Sequence, residues 1–169
     1  MHARDKILID FAAPREGEQW FVVNDGVMGG LSQGQMDIAA DGSARFHGRL
    51  SLDNNGGFTS IRRRSRAYDL AGFEGVTFRV KGDGRTYQFR VRMGDKFDEI
   101  AYRAEFETEA GKWIEIILPF TQFEPTFHGR LVQGAKKLDP ERIRQVGFLI
   151  ADRRAGIFHL EIGRQWVDS

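Results

Sequence analysis

Between Val76 and Glu107 apolar residues return at every second position, and that period constrains the fold more than anything else in the chain. Val76, Phe78 and Val80 alternate with Thr77, Arg79 and Lys81, and Tyr87, Phe89, Val91 and Met93 alternate with Gln88, Arg90 and Arg92. Ile100, Tyr102, Ala104 and Phe106 then alternate with Arg103, Glu105 and Glu107. A helix brings together residues three and four apart, whereas a strand sends successive side chains to opposite faces, so the period of two excludes helix and predicts three half-buried strands. The intervening Gly82-Asp83-Gly84-Arg85 and Gly94-Asp95-Lys96-Phe97-Asp98 are of hairpin length and predict antiparallel neighbours. On that arrangement Arg79, Lys81, Arg90, Arg92 and Arg103 share one polar face, tempered by Glu105 and Glu107. Such a face is either a wetted sheet surface or the lining of a shallow cleft for a polar ligand.

The same logic extends outward. Trp20 to Val23 is a compact apolar run ending at Asn24-Asp25-Gly26, where Asp-Gly predicts the positive φ of a tight turn. From Ser43 to Leu52 a strand is predicted, with Ala44, Phe46, Gly48 and Leu50 on one face and Arg45, His47 and Arg49 on the other. Lys112 to Leu118 is denser in apolar residues and closes at Pro119, which predicts a strand buried on both faces or nearly so. Phe120 to Lys137 shows no sustained period and reads as a long ordered loop. Asp139-Pro140-Glu141 supplies a capping residue, a proline at the first helical position and an acid in the first turn, predicting one short helix near 139-145. Two closing strands follow, Val146 to Ala151 and Ile157 to Gly163, with Phe158, Leu160 and Ile162 inward and His159 and Glu161 outward.

Eight or nine short strands and one short helix, without any linker-like stretch, predict a single all-β domain over 1-169, a mostly antiparallel β-sandwich of jelly-roll type. Twenty Gly and fourteen Phe against four Pro fit many strands joined by glycine turns. The 25 basic and 24 acidic residues nearly cancel, which argues against a nucleic-acid partner. No Cys is present, so disulfides, thiolate nucleophiles and Cys-ligated metals are excluded. The N-terminal residues lack the apolar core of a secretory signal, and no run approaches the roughly 20 apolar residues of a membrane span. A soluble, cytoplasmic protein without membrane insertion is therefore expected.

Known catalytic devices are missing. The four His, at 2, 47, 128 and 159, show no metal-ligand spacing, and neither a His-Glu-x-x-His nor a Gly-x-Ser-x-Gly run occurs. Gly82-Asp83-Gly84 lies between strands and precedes no helix, so it is no dinucleotide fingerprint. Asp53-Asn54-Asn55-Gly56 opens like a calcium loop, but its twelfth place is Arg64. No catalytic residue, resident metal or cofactor is expected. Arg62-Arg63-Arg64-Ser65-Arg66 reads as a solvated loop or, alternatively, as a contact for an anion or acidic partner.

Two glycine-polar knots remain, Asn24-Asp25-Gly26-Val27-Met28-Gly29-Gly30-Leu31-Ser32 and Asn54-Asn55-Gly56-Gly57-Phe58-Thr59-Ser60. One reading is structural: Asn, Asp and Gly form turns, while Val27, Met28 and Phe58 plug the end of the sandwich. The other is recognition, since Asn24, Asp25, Met28, Ser32, Asn54, Asn55, Phe58 and Ser60 offer amides, hydroxyls and a flexible apolar group to a small polar ligand or a peptide.

With these knots, Asp83-Gly84-Arg85-Thr86-Tyr87, Pro119-Phe120-Thr121-Gln122-Phe123-Glu124-Pro125 and Asp152 to Ile162, the chain resembles the complex I intermediate-associated protein 30 family from about Trp20 to Ile162. The resemblance implies a galactose-binding-like jelly-roll, which agrees with the strand pattern, and adds Arg85 and Tyr87 to the candidate ligand- or partner-binding residues. Mitochondrial members of that family act as chaperones that hold membrane-arm intermediates of respiratory complex I, without catalysis. This chain begins without their long N-terminal extension and looks like a compact stand-alone member of bacterial type. The resemblance thus implies a non-enzymatic assembly factor with protein partners among respiratory complex subunits or intermediates. The alternative is a module that binds carbohydrate or another small polar ligand.

Overall fold

The structure is a computed structural model that describes residues 4–168; the side chains of Arg4, Asp5 and Val27 lie outside the description. Among the described residues thirteen strands follow one another. They are β1 (Arg4–Ile9), β2 (Trp20–Asn24), β3 (Gln33–Ile38), β4 (Ala44–Leu50), β5 (Thr59–Arg63), β6 (Gly75–Lys81) and β7 (Thr86–Arg92). After them come β8 (Ala101–Glu107), β9 (Trp113–Pro119), β10 (Glu124–Phe127), β11 (Arg130–Leu131), β12 (Gln145–Ile150) and β13 (Gly156–Asp168). One sheet runs β3-β4-β13-β6-β9, with β1 also paired to β13, and the other runs β11-β10-β8-β7-β12-β5-β2. All named strand pairs are antiparallel. The fold is an all-β, galactose-binding-like jelly-roll sandwich.

Alternation creates this architecture because each sheet buries one face against the other. Phe78 on β6 is fully buried and meets Phe89, Phe106 and Phe148 of the opposite sheet at ring-centroid distances of 5.4, 5.3 and 5.4 Å. Phe46 and Phe158 pair at 4.9 Å within the first sheet. Truncating a ring so placed typically costs about 3–5 kcal/mol. Of the inward sets expected for β4 and β13, Ala44, Phe46, Leu50, Phe158, Leu160 and Ile162 are buried, while Gly48 is half-buried.

Several local expectations are corrected. β6 and β7 do not form a hairpin, because they lie in different sheets and the chain crosses the sandwich at Gly82–Arg85. Gly82 is pressed against Thr108, whose Cβ would lie 2.5 Å from an added Cβ, and it bridges in parallel to Ala110. Arg79 and Lys81 therefore stand on the opposite outer face from Arg90, Arg92 and Arg103. Alternation reports that one face is buried, not which sheet buries it.

Two further segments differ for similar reasons. Lys112 to Leu118 is not doubly buried: β9 is an edge strand whose Ile114, Ile116 and Leu118 pack inward while Glu115 and Ile117 are exposed. The unpatterned Phe120–Lys137 stretch holds a 3₁₀ turn and the short strands β10 and β11. Near 139-145 the helix is a single 3₁₀ turn, Pro140–Arg142, and Gln145 already belongs to β12. Asp139 does cap it, accepting from the Glu141 N–H at 3.1 Å. The turn goes no further because Arg144 gives its N–H to the Arg92 carbonyl at 2.8 Å.

Candidate functional site

The first knot leaves β2 at Asn24, makes a 3₁₀ turn over Asp25–Met28 and reverses at Gly29, whose φ is 88°. The positive φ thus falls three residues later than Asp-Gly predicts. In the second knot a 3₁₀ turn over Asp53–Asn55 places Asn54 and Asn55 in the left-handed region, at φ 56° and 59°. Asn tolerates that conformation better than most side chains.

Asp25 joins the two knots. Its carboxylate is fully buried and accepts the Ser32 N–H at 2.9 Å, the Ser32 hydroxyl at 2.6 Å, the Gly57 N–H at 2.6 Å and the Phe58 N–H at 3.3 Å. Burial alone pushes the carboxyl up, but the combined hydrogen bonds outweigh it and hold the group below the ordinary Asp value. Glycine is required on both sides of the clasp. A Cβ on Gly30 would fall 2.3 Å from Asp25 Cγ, and one on Gly56 would fall 2.5 Å from Asp25 Oδ2.

The other polar signature residues are also turned inward. Asn24 Oδ1 accepts the Gly34 N–H at 3.1 Å and the Thr59 hydroxyl, tying β2 to β3 and β5. Ser60 donates to the Val23 carbonyl at 2.9 Å, and the Ser51 N–H reaches the Ser32 hydroxyl at 2.9 Å. What the knots show to solvent is their rim. Met28 is 60 % exposed and Leu31 58 %, Asn54 and Asn55 are exposed, and Phe58 is half-buried. Met28 therefore does not plug the sandwich, and the Val27 side chain lies outside the described residues. Leu31 precedes Ser32 and Leu52 follows Ser51, so the Ser32–Ser51 bond brings these two exposed leucines to the same rim.

Arg85 and Tyr87 make a second clasp. Arg85 is buried and grips Asp152 through two parallel bonds of 2.8 and 2.6 Å, a charge-assisted fork. It also donates to the carbonyls of Arg154, Gly156 and Ile157. The bond to Asp152 raises the Arg85 pKa; burial pushes Asp152 up, but Arg85 more than offsets it and holds Asp152 low. Tyr87 donates to Asp83 at 3.0 Å, and burial together with that carboxylate pushes its phenol well above the ordinary range. This clasp shares an end of the sandwich with the knots. Thr59 pairs with both Asn24 and Ile150, and Gly156 pairs with Leu50, but no hydrogen bond links the clasp to Asp25. Asp83 and Asp152 lie in stretches that carry the family resemblance but are not among the expected binding residues, because an acid in a turn does not by itself show which arginine or tyrosine it will meet.

The arginine run is divided by the structure. Arg62 and Arg63 belong to β5 instead of a loop, and Arg63 is buried against Glu16 at 2.7 Å, a carboxylate that also accepts the Trp20 indole N–H at 2.8 Å. Arg64 and Arg66 are exposed and lie over Phe21 and Tyr68. Among the described residues no group of three or more His, Asp or Glu side chains sits where it could hold a metal ion, and no helix is long and apolar enough to cross a membrane.

The model of the family described as complex I intermediate-associated protein 30 matches residues 9–162. The mitochondrial protein of that name from Drosophila melanogaster is 27 % identical over 178 residues, covering 92 % of this chain and 60 % of the relative. That from Mus musculus is 28 % identical over 179 residues, covering 93 % of this chain and 54 % of the relative. The chain thus spans little more than half the length of these relatives. Among solved structures, the family 11 carbohydrate-binding module of Clostridium thermocellum, in complex with a β-1,3-1,4-mixed-linked tetrasaccharide, superposes with a TM-score of 0.69 at 17 % identity over 96 % of this chain and 94 % of the module. A family 29 carbohydrate-binding module superposes with a TM-score of 0.55 at 12 % identity over 99 % and 91 %. At such identities the likeness concerns the fold.

Proposed function

The chain belongs to the complex I intermediate-associated protein 30 family, and from that premise we propose that it is a non-enzymatic binding and assembly protein whose partner surface is the rim of the two clasped knots. One observation carries the reading. The buried carboxylate of Asp25 ties segments 32 residues apart by hydrogen bonds, while Met28, Leu31 and Leu52 stand out into solvent beside them. A surface ordered before binding loses little entropy on association, and a flexible Met adapts to its partner. In this reading Asn24, Asp25, Ser32, Ser60, Arg85 and Tyr87 shape the end of the sandwich. Met28, Leu31, Asn54, Asn55 and Phe58 touch the partner.

The family name points to the partner's kind: a subunit or partly assembled module of a respiratory NADH dehydrogenase, met by a chaperone working from the cytoplasm. Affinity capture of the full chain from native lysate, compared with a Met28→Asp, Leu31→Asp double variant, tests this. Wild type should retain NADH dehydrogenase subunits, and the double variant should lose them with an unchanged melting temperature. Capture without such subunits, or equal capture by both proteins, would sink the reading.

A carbohydrate-binding reading is favoured by a separate observation. On the outer face of the first sheet, at the end away from the knots, a cleft of about 400 Å³ is lined by Trp113, Trp166, Asp10, Asp41, Arg79 and Arg164. Indole rings beside carboxylates and guanidinium groups, with Arg164 lying over the Trp166 ring, suit a polyol. A glycan array probed with wild type and Trp113→Ala would decide it, since binding absent in wild type or unaffected by the substitution removes this reading.

A further inference from the structure

The outer face of the seven-stranded sheet gathers four arginines, and the acids around them are mostly bonded to other groups. Read in register across six strands, one row runs Phe21, Arg62, Gly147, Arg90, Arg103, Glu124. With strands about 4.8 Å apart, the three arginines fall within about 15 Å of one another. Arg90 and Arg103 stand directly opposite each other, an unfavourable placement for like charges. Gly147 is buried between Arg62 and Arg90, and its missing side chain lets β5 approach closely, since an added Cβ would fall 2.5 Å from the Ile61 carbonyl oxygen. Arg92, two residues along β7, adds a fourth cation beside Gln145.

These groups are poorly partnered. Arg92 is 6 % exposed, and its Nε has no hydrogen-bond partner; the Nε atoms of Arg90 and Arg103 also have none. Arg62 donates to the Phe97 carbonyl at 2.8 Å beneath that residue's exposed ring, and Arg90 donates to the Thr126 hydroxyl at 3.0 Å. Most nearby acids are engaged elsewhere. Glu99 accepts the N–H groups of Gly94 and Lys96 at 2.7 Å each, Asp98 pairs with His128 at 2.9 Å, and Asp95 pairs with Arg144 at 3.0 Å. Glu124 stands 3.9 Å from Arg103 with its side chain 56 % exposed, and Glu105 is exposed beside it. Burial pushes Arg90 down to about 10 and Arg92 to about 9, with the neighbouring arginines adding to both. Glu99 and Asp98 offset only part of this at Arg92; buried cations with incomplete hydrogen bonding are costly, and guanidinium forks are shaped for oxygen pairs.

We propose that this face is an oxyanion site, in which a carboxylate or phosphate group bridges the opposed Arg90 and Arg103, with Arg62 and Arg92 adding to the positive field. Gln88 lies two residues before Arg90 on the same face, and its Oε1 is buried without a donor. The ligand class is accordingly an oxyanion that also carries a hydroxyl or N–H. The site is separate from the knots and does not depend on the assembly reading.

Calorimetric titration and thermal unfolding of the full chain with phosphate, citrate and an octaglutamate peptide, each against sodium chloride of matched ionic strength, test the proposal. At least one probe should bind saturably and raise the melting temperature beyond the salt control. Binding of free phosphate or citrate identifies a small-molecule source, and binding of the peptide alone identifies acidic side chains of a partner. Arg90→Gln and Arg103→Gln should each weaken binding tenfold or more while raising the melting temperature of the unliganded protein. Should Arg90→Gln not fold, Arg103→Gln and the shift of the arginine Nε–H resonances in wild type on titration carry the test. No binding by any probe, stabilisation no greater than that by sodium chloride, or undiminished binding in Arg103→Gln would overturn the proposal.

Discussion

The Asp25 carboxylate and the Gly57 backbone N–H meet at 2.6 Å across 32 residues of chain, and this contact turns two separate loops into one end of the sandwich. Because Asp25 is fully buried and accepts four hydrogen bonds, its removal strands several donors at once. Asp25→Ala should lower unfolding free energy by roughly 3–5 kcal/mol, measured by chemical denaturation.

The same carboxylate sets a pH dependence. Its folded pKa lies below its unfolded value, so its contribution is fully present above the ordinary Asp value of about 3.9 and is lost as pH falls through the lower folded value. Between pH 5 and pH 2 the wild type should lose more stability than Asp25→Asn. Parallel slopes of melting temperature against pH for the two proteins would contradict this.

Three glycines of the first two knots separate close approach from mere turn preference. Gly30→Ala and Gly56→Ala place a Cβ within 2.5 Å of the Asp25 carboxylate, whereas an added Cβ at Gly26 meets nothing within 4 Å. The first two substitutions should each cost about 1–3 kcal/mol, and Gly26→Ala should stay within about 0.5 kcal/mol. Denaturation midpoints of the three variants supply the comparison.

Arg85 should resist even the substitution that keeps its charge. A lysine cannot form the two-pronged grip on Asp152 or reach all three loop carbonyls. Arg85→Lys should speed amide hydrogen exchange in residues 152–157, and Arg85→Ala, which leaves the buried Asp152 unpaired, should cost about 3–5 kcal/mol.

Within the arginine run the effects should divide sharply. Glu16→Ala deprives the buried Arg63 of its partner and should cost about 3–5 kcal/mol, while Arg64→Ala and Arg66→Ala should each stay within about 0.5 kcal/mol. Equal costs at Arg63 and Arg64 on replacement by alanine would refute the division.

The strands were legible because alternation is local. Val76 to Lys81, Tyr87 to Arg92 and Ala44 to Leu50 declare a buried face by composition alone, and Asp139-Pro140 declares a turn start. The partners were not legible. Nothing around Glu16 announces Arg63, and nothing around Asp152 announces Arg85, since each of these pairs joins groups 47 or 67 residues apart that only the finished sheets bring together. Asp83 and Tyr87 are four residues apart, yet their side chains meet only because the chain crosses the sandwich between them. Asn24, Asp25 and Ser32 could be recognised as unusual together, but not as a set of groups that bond one another. Leu31 and Leu52 gave no signal as surface features because isolated apolar residues beside turns are common.

By itself the amino-acid sequence determined that this chain forms an all-β sandwich, which faces of its main strands are buried, and that two glycine-rich knots are its signature. The tertiary structure decided that β6 and β7 part company across the sandwich, that Asp25 holds both knots, and that Arg62, Arg90 and Arg103 fall in one row with Gly147. The reason is one of range. Side-chain periodicity follows from the geometry of a single strand, whereas sheet membership, register and charge neighbourhood are set by contacts between segments far apart in the chain.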